Sequence, residues 1–187
     1  MNEIVFTSDR ERRLWQWTLA AVIAVFLTLA FAGSLEAYLR DRHMLDNTFF
    51  ALFLVVIAAI FGSGLRRRTS KREIWVGIGI AAIYGTVLLR SFVPTAARSH
   101  LFEFGLVAVL IYSALSERQR NGRIVPVPAI IAIAATTAIG AIDECIQLFL
   151  PGRVFDPLDM LFNLVAAVMA VTASAALRWA RGRLART

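Results

Sequence analysis

Residues 124–148 read IVPVPAIIAIAATTAIGAIDECIQL. Two prolines open the stretch, no charge appears before Asp143, and then two carboxylates stand side by side. A helix of about 20 apolar residues crosses the hydrocarbon core of a bilayer. The stretch therefore reads as a membrane span, Ile124 to about Leu148, with Asp143 and Glu144 near its far end. Strand-like alternation is absent, and only helices or closed barrels satisfy the backbone in lipid.

Working outward, five further apolar runs have comparable length. They are Leu14 to Leu35, Thr48 to Leu65, Ile74 to about Val93, about His100 to Leu115, and Pro157 to Leu177. The expected fold is all-α: a polytopic transmembrane helical bundle of about six spans. Composition agrees. Of 187 residues, 58% are hydrophobic and 18% charged, against about 45–50% and 25% in a soluble domain. That excess argues against a soluble enzyme and against disorder. One cysteine, Cys145, excludes an internal disulfide. Basic residues precede the first run, which ends in Ala30-Phe31-Ala32, so a cleaved signal peptide competes with a retained span there. Trp15 and Trp17, placed as an interfacial belt, favour the retained span.

Basic residues set the orientation. Fifteen fall in the N-terminal tail, the loops after spans two and four, and the C-terminal tail. Five fall on the opposite side: Arg40, Arg42, Arg90, Arg98 and Arg153. Both termini are expected in the cytoplasm. The net charge of +7 then follows from topology, and no nucleic-acid partner is needed.

Acidic residues are biased the other way, five inner against eight outer. Glu103, Asp143, Glu144 and Asp159 lie within or beside spans, as do His100, Gln147 and Asn163. Ionisable groups at membrane depth cost a few kcal/mol or more and usually face a bundle interior or wet cavity. At about 100° per residue, His100 and Glu103 share one face of span four. Thr136, Gly140, Asp143 and Gln147 form a stripe on span five, where Gly140 lets a neighbouring helix approach. Asp156, Asp159 and Asn163 share a face of span six. All sit at the outer end, so they are expected to converge on one outward-opening pocket, with Arg153 held near by the apolar Leu148–Phe155 linker.

Each residue carries two readings. Asp143, Glu144 and Gln147 are catalytic acid/base candidates, because paired carboxylates can hold one proton between them; the alternative is an ion pair that bridges helices. His100 and Glu103 are a general base with its orienting partner, or a headgroup-zone His beside an Arg-paired Glu. Arg153, Asp159 and Asn163 are substrate-binding candidates, with Arg153 as an anion clamp. Asp156 suits an N-cap and Pro157 the first helical position. His100, Glu103, Asp143 and Glu144 offer one nitrogen and several oxygens, but no two-His or Cys/His spacing is present, so no metal is assigned. No cofactor is identified. Cys145 reads as an apolar filler and His43 as a solvated loop residue.

Asp143-Glu144-x-x-Gln147, then Pro151-Gly152-Arg153, then Asp159-x-x-x-Asn163 resembles the signature of the VanZ-like family of membrane proteins. The segment Ser99-His100-Leu101-Phe102-Glu103-Phe104-Gly105 resembles that family's earlier motif. The likeness covers roughly Arg90 to Val171. It departs where the family shows Gly after the Asn and this chain has Ala166, Ala167 and Ala170. The organisation expected is a tail with three spans (1–89), a VanZ-like membrane region (90–177) and a basic tail (178–187). The resemblance implies a multi-pass protein of the bacterial plasma membrane. The family's name comes from an accessory protein linked to resistance to the glycopeptide teicoplanin. The expected function is a cell-envelope role, binding or acting on a lipid-linked or amphiphilic molecule at the outer leaflet. Membrane lipids or a lipid-linked envelope molecule are the expected partners, with a membrane protein as a further option and no nucleic acid. The alternative is a structural or assembly protein whose polar cluster only holds helices together.

Overall fold

In the computed structural model, residues 6–45, 47–48, 50–51, 54, 70–89, 95–150 and 155–182 are described. They contain five helices and no strand. We number these α1 (Asp9–Asp41), α2 (Lys71–Leu89), α3 (Thr95–Arg120), α4 (Pro128–Gln147) and α5 (Pro157–Gly182). The all-α expectation holds. Ser99–Arg120, Pro128–Gln147 and Pro157–Arg181 are long and apolar enough to cross a membrane, and α1 adds a fourth if Asp9–Leu29 and Gly33–Asp41 form one broken span. The run expected as the third span is helical, as α2, but α2 is not among the helices that meet this measure of length and apolarity. Of the second, helical backbone is described at Thr48, Phe50, Ala51 and Leu54, and the rest lies outside the described residues.

The helix ends follow local chemistry. α1 and α2 both begin with Ser-x-x-Glu. Ser8 Oγ accepts from Glu11 N–H and Ser70 Oγ from Glu73 N–H, each at 3.1 Å. This satisfies a donor that the first turn of a helix leaves unpaired. α3 ends at Gly122, whose φ of 85° is cheap only without a Cβ. Gly122 N–H donates to Gln119 C=O and Arg123 N–H to Arg118 C=O, the paired bonds of a Schellman cap. α1 closes the same way, with His43 at φ 54° in the glycine position. The prolines decide the start of α4: Pro128 lacks only an N–H that is unpaired in a first turn anyway. The helix therefore begins four residues later than the apolar run.

The chain divides into two compact units. One is residues 1–33 with 99–172, the other 34–98 with 173–187. In the first, Val107, Ala108, Ile111 and Leu115 of α3 pack with Ala132 of α4 and Ala167, Ala170 and Val171 of α5. Trp15, Ala21 and Val22 of α1 lie against this core. Alanines at the crossings let helix backbones approach. In the second unit, Arg181 Nε donates to Glu73 Oε1 at 2.6 Å and the Arg72 guanidinium lies 4.9 Å over the Trp179 ring.

Burial runs opposite to a soluble helix. On α4 the buried stripe is Ala132, Thr136, Gly140, Asp143, Glu144 and Gln147, while Ile130, Ile131 and Ile142 are exposed. On α5 Asn163, Ala166 and Ala167 are buried, and Leu158, Leu161, Leu164, Val165 and Val168 are exposed. Large aliphatic side chains outside and polar or small ones inside suit a surface solvated by lipid. This is a helical membrane protein.

Candidate functional site

Three helix ends of the first unit build the site. His100 lies near the start of α3, Asp143, Glu144 and Gln147 in the last turns of α4, and Asp159 in the first turn of α5. Because α4 runs into α5 through a short connection, its C-terminal end and the N-terminal end of α5 lie at one level. Asp156 fixes that junction. Its Oδ1 accepts from Leu158 N–H at 2.8 Å, as expected of the N-cap before Pro157. Its own N–H donates to Glu144 Oε2 at 3.4 Å.

The polar side chains are buried. Gln147 Nε2 donates to Asp143 Oδ2 at 3.1 Å and to Glu144 Oε1 at 3.3 Å. One amide thus holds both carboxylates of the Asp-Glu pair. His100 stacks on Phe104, centroids 5.5 Å apart. Its Nε2 lies 3.7 Å from Asp159 Oδ2. One ligand-type atom each from His100, Glu144 and Asp159 falls within 4.8 Å of the others. Residues 44 and 59 positions apart in sequence thus meet His100 in space.

Asn163 is fully buried one turn beyond Asp159. It stands against Gly140: a Cβ there would lie 2.6 Å from Asn163 Nδ2 and 2.8 Å from its Cβ. Gly140 is therefore the hole that admits the Asn163 side chain. Neither end of that amide has a hydrogen-bond partner among the described residues, and the same is true of His100 Nδ1 and Thr136 Oγ1. Buried polar atoms without partners are uncommon and invite a water, ion or ligand.

Six of the eight sequence-derived site residues come to this level as buried or half-buried groups: His100, Asp143, Glu144, Gln147, Asp159 and Asn163. Glu103 is half-buried one turn along α3 from His100. Arg153 lies outside the described residues. Asp159 of α5 stands at His100 Nε2, a neighbour that the sequence did not single out for it. Cys145 is exposed, between the buried Glu144 and Gln147 and on the far side of the helix.

Sequence reasoning missed a second polar junction in this unit. Glu11 is fully buried and accepts from Arg118 at 3.2 Å, from Thr7 N–H at 2.7 Å and from Thr7 Oγ1 at 2.5 Å. Asn121 Nδ2 donates to Thr7 Oγ1 at 3.0 Å. The Ser8-x-x-Glu11 spacing was legible as a capping signal. Its partner 107 residues away was not.

Chemically, the main site offers an imidazole, three carboxylates and two carboxamides in surroundings shielded from water. Such a set can transfer a proton, hold a cation, or orient a polar headgroup. No curated protein and no solved structure matches the chain. The family model described as VanZ/LLP1 matches residues 17–178, a wider stretch than the one on which the signature residues were read. It takes in α2 and most of α1 together with the three helices that carry the site, and the chain accordingly belongs to the VanZ/LLP1 family.

Proposed function

We propose that this protein sits in the bacterial plasma membrane as a multi-pass protein with both termini in the cytoplasm. Its polar site opens to the outer leaflet, where it binds or acts on a lipid-linked or amphiphilic envelope molecule. Fifteen basic residues on one side of the membrane against five on the other support that orientation. The observation that carries the reading is the convergence of buried His100 and Glu144 and half-buried Asp159 from three different helices. Helix packing alone does not need three ionisable groups in lipid, each of which costs free energy to bury. In this reading Glu144 or Asp143 is the acid/base group, His100 its partner, Glu103 and Gln147 orient them, and Arg153, Asp159 and Asn163 contact the polar part of the ligand. The link to glycopeptides comes from family membership; teicoplanin carries an acyl chain and fits an outer-leaflet site.

The test is expression of the wild type and of Glu144→Gln in a susceptible Gram-positive host. Teicoplanin and vancomycin sensitivity are read beside membrane abundance and melting temperature. Protection by the wild type and its loss in an equally abundant variant is the expected result. Unchanged sensitivity in both strains would remove the glycopeptide role.

One observation favours a second reading. Glu144 accepts the backbone N–H of Asp156 as well as the Gln147 amide, so it also ties α4 to the start of α5. If the cluster only joins helices, Glu144→Gln lowers abundance and melting temperature in step with any change in sensitivity.

A further inference from the structure

We propose that His100, Glu144 and Asp159 bind one divalent transition-metal ion of the Zn2+ or Mn2+ class. Their ligand-type atoms lie within 4.8 Å of one another. An ion with bonds of about 2.1 Å places two of its ligands about 3.4 Å apart in a tetrahedron and about 4.2 Å apart across an octahedron. Side-chain adjustments of a few tenths of an ångström to about one ångström therefore close the site. One imidazole nitrogen with two carboxylate oxygens suits Zn2+ or Mn2+ better than the all-oxygen preference of Ca2+ and Mg2+, or the sulfur preference of Cu+.

Charge points the same way. Glu144 is fully buried and Asp159 largely so. Among the described residues neither is paired with a Lys or Arg side chain. Carboxylates held out of water are costly as anions, and a divalent cation offsets that cost.

An independent observation concerns the surroundings. Asn163 is fully buried on the Asp159 face of α5, and neither atom of its amide is hydrogen-bonded among the described residues. That amide stands against Gly140, one turn along α4 from Glu144, and His100 Nδ1, on one of the three ligands, is likewise buried without a partner among the described residues; such atoms invite an ion or an ordered water. The supporting layer already exists. Gln147 Nε2 and Asp156 N–H each donate to a different oxygen of Glu144, which fixes a ligating carboxylate as outer-shell donors do in metal sites. Three protein ligands leave a coordination position open for water or for an oxygen of a bound molecule.

With an ion bound, Glu144 and His100 are its ligands and Asp143 is left as the acid/base group; metal binding itself is read without any substrate, so its failure and that of the envelope reading are told apart. The full chain is purified in detergent without a polyhistidine tag, stripped with chelator, and titrated with ZnCl2 and MnCl2. The expected result is one ion per chain and a raised melting temperature. Affinity falls more than tenfold in Glu144→Gln and in Asp159→Asn. His43→Ala and Cys145→Ser, which remove the other His and the single Cys, keep wild-type affinity. Spin-echo spectra of Mn2+ on the wild type need no variant to fold, and should show one coupled imidazole nitrogen. Failure of the wild type to bind one ion would overturn the proposal. So would Mn2+ without a coupled nitrogen, undiminished affinity in the folded carboxylate variants, or loss of binding in His43→Ala.

Discussion

Gly140 and Gly105 separate two uses of the same residue. A Cβ at Gly140 would meet Asn163 at 2.6, 2.8 and 2.9 Å, two of these contacts being with the Cβ and Cγ atoms near its backbone. The Asn163 side chain cannot swing its own Cβ aside, so the helices must part. At Gly105 the nearest atom is Ala170 Cβ at 3.8 Å, an ordinary contact. Gly140→Ala should therefore lower the melting temperature in detergent, at a cost of about 1–3 kcal/mol. Gly105→Ala should leave it unchanged or raise it, since alanine is the better helix former by roughly 1 kcal/mol. A Gly140→Ala protein as stable as wild type would contradict the close approach. The stripe of Thr136, Gly140, Asp143 and Gln147 was legible because helical period is a local property. That Asn163 fills the gap at Gly140 was not, because it depends on how α5 lies across α4.

Among the helices, the Glu of each Ser-x-x-Glu start makes a longer-range pair, and the burial of the two pairs differs. Glu11 is fully buried and the Arg118 side chain 35% exposed; Glu73 is 11% exposed and Arg181 48%. The exposed pair is shorter, 2.6 Å against 3.2 Å, yet burial matters more than distance. Water screens an exposed pair to about 0–1 kcal/mol, while removing one partner of a buried pair costs several kcal/mol. A double-mutant cycle read by thermal unfolding should give a larger coupling for Glu11 with Arg118 than for Glu73 with Arg181. Equal couplings would mean that Glu11 reaches water. Element existence was well marked in the sequence, since α3, α4 and α5 each cover an expected apolar run. Helix ends were set by features that hydropathy does not weigh: Gly122 after α3, Pro128 at the start of α4, and Ser8 and Ser70 before α1 and α2.

At the scale of the whole molecule, the distribution of charge predicts a direction of insertion. In a Cys145→Ser background, a single cysteine at Arg42 should react with a membrane-impermeant maleimide on intact cells. One at Arg123 should react only after the membrane is opened. The reverse pattern would turn the site toward the cytoplasm and refute the outer-leaflet reading, while leaving the metal proposal standing. By itself the sequence determined that the chain is helical, that it belongs in a membrane, and which polar residues are too costly to bury without a reason. Apolar length, helical period and charge are carried by consecutive residues, so no partner is needed to read them. Only the tertiary structure decided that His100 meets Asp159 and Glu144 and that Asn163 enters at Gly140. Those contacts join residues from separate helices. Several polar groups shared each helix face, and the packing of small side chains at the crossings selected which of them touch.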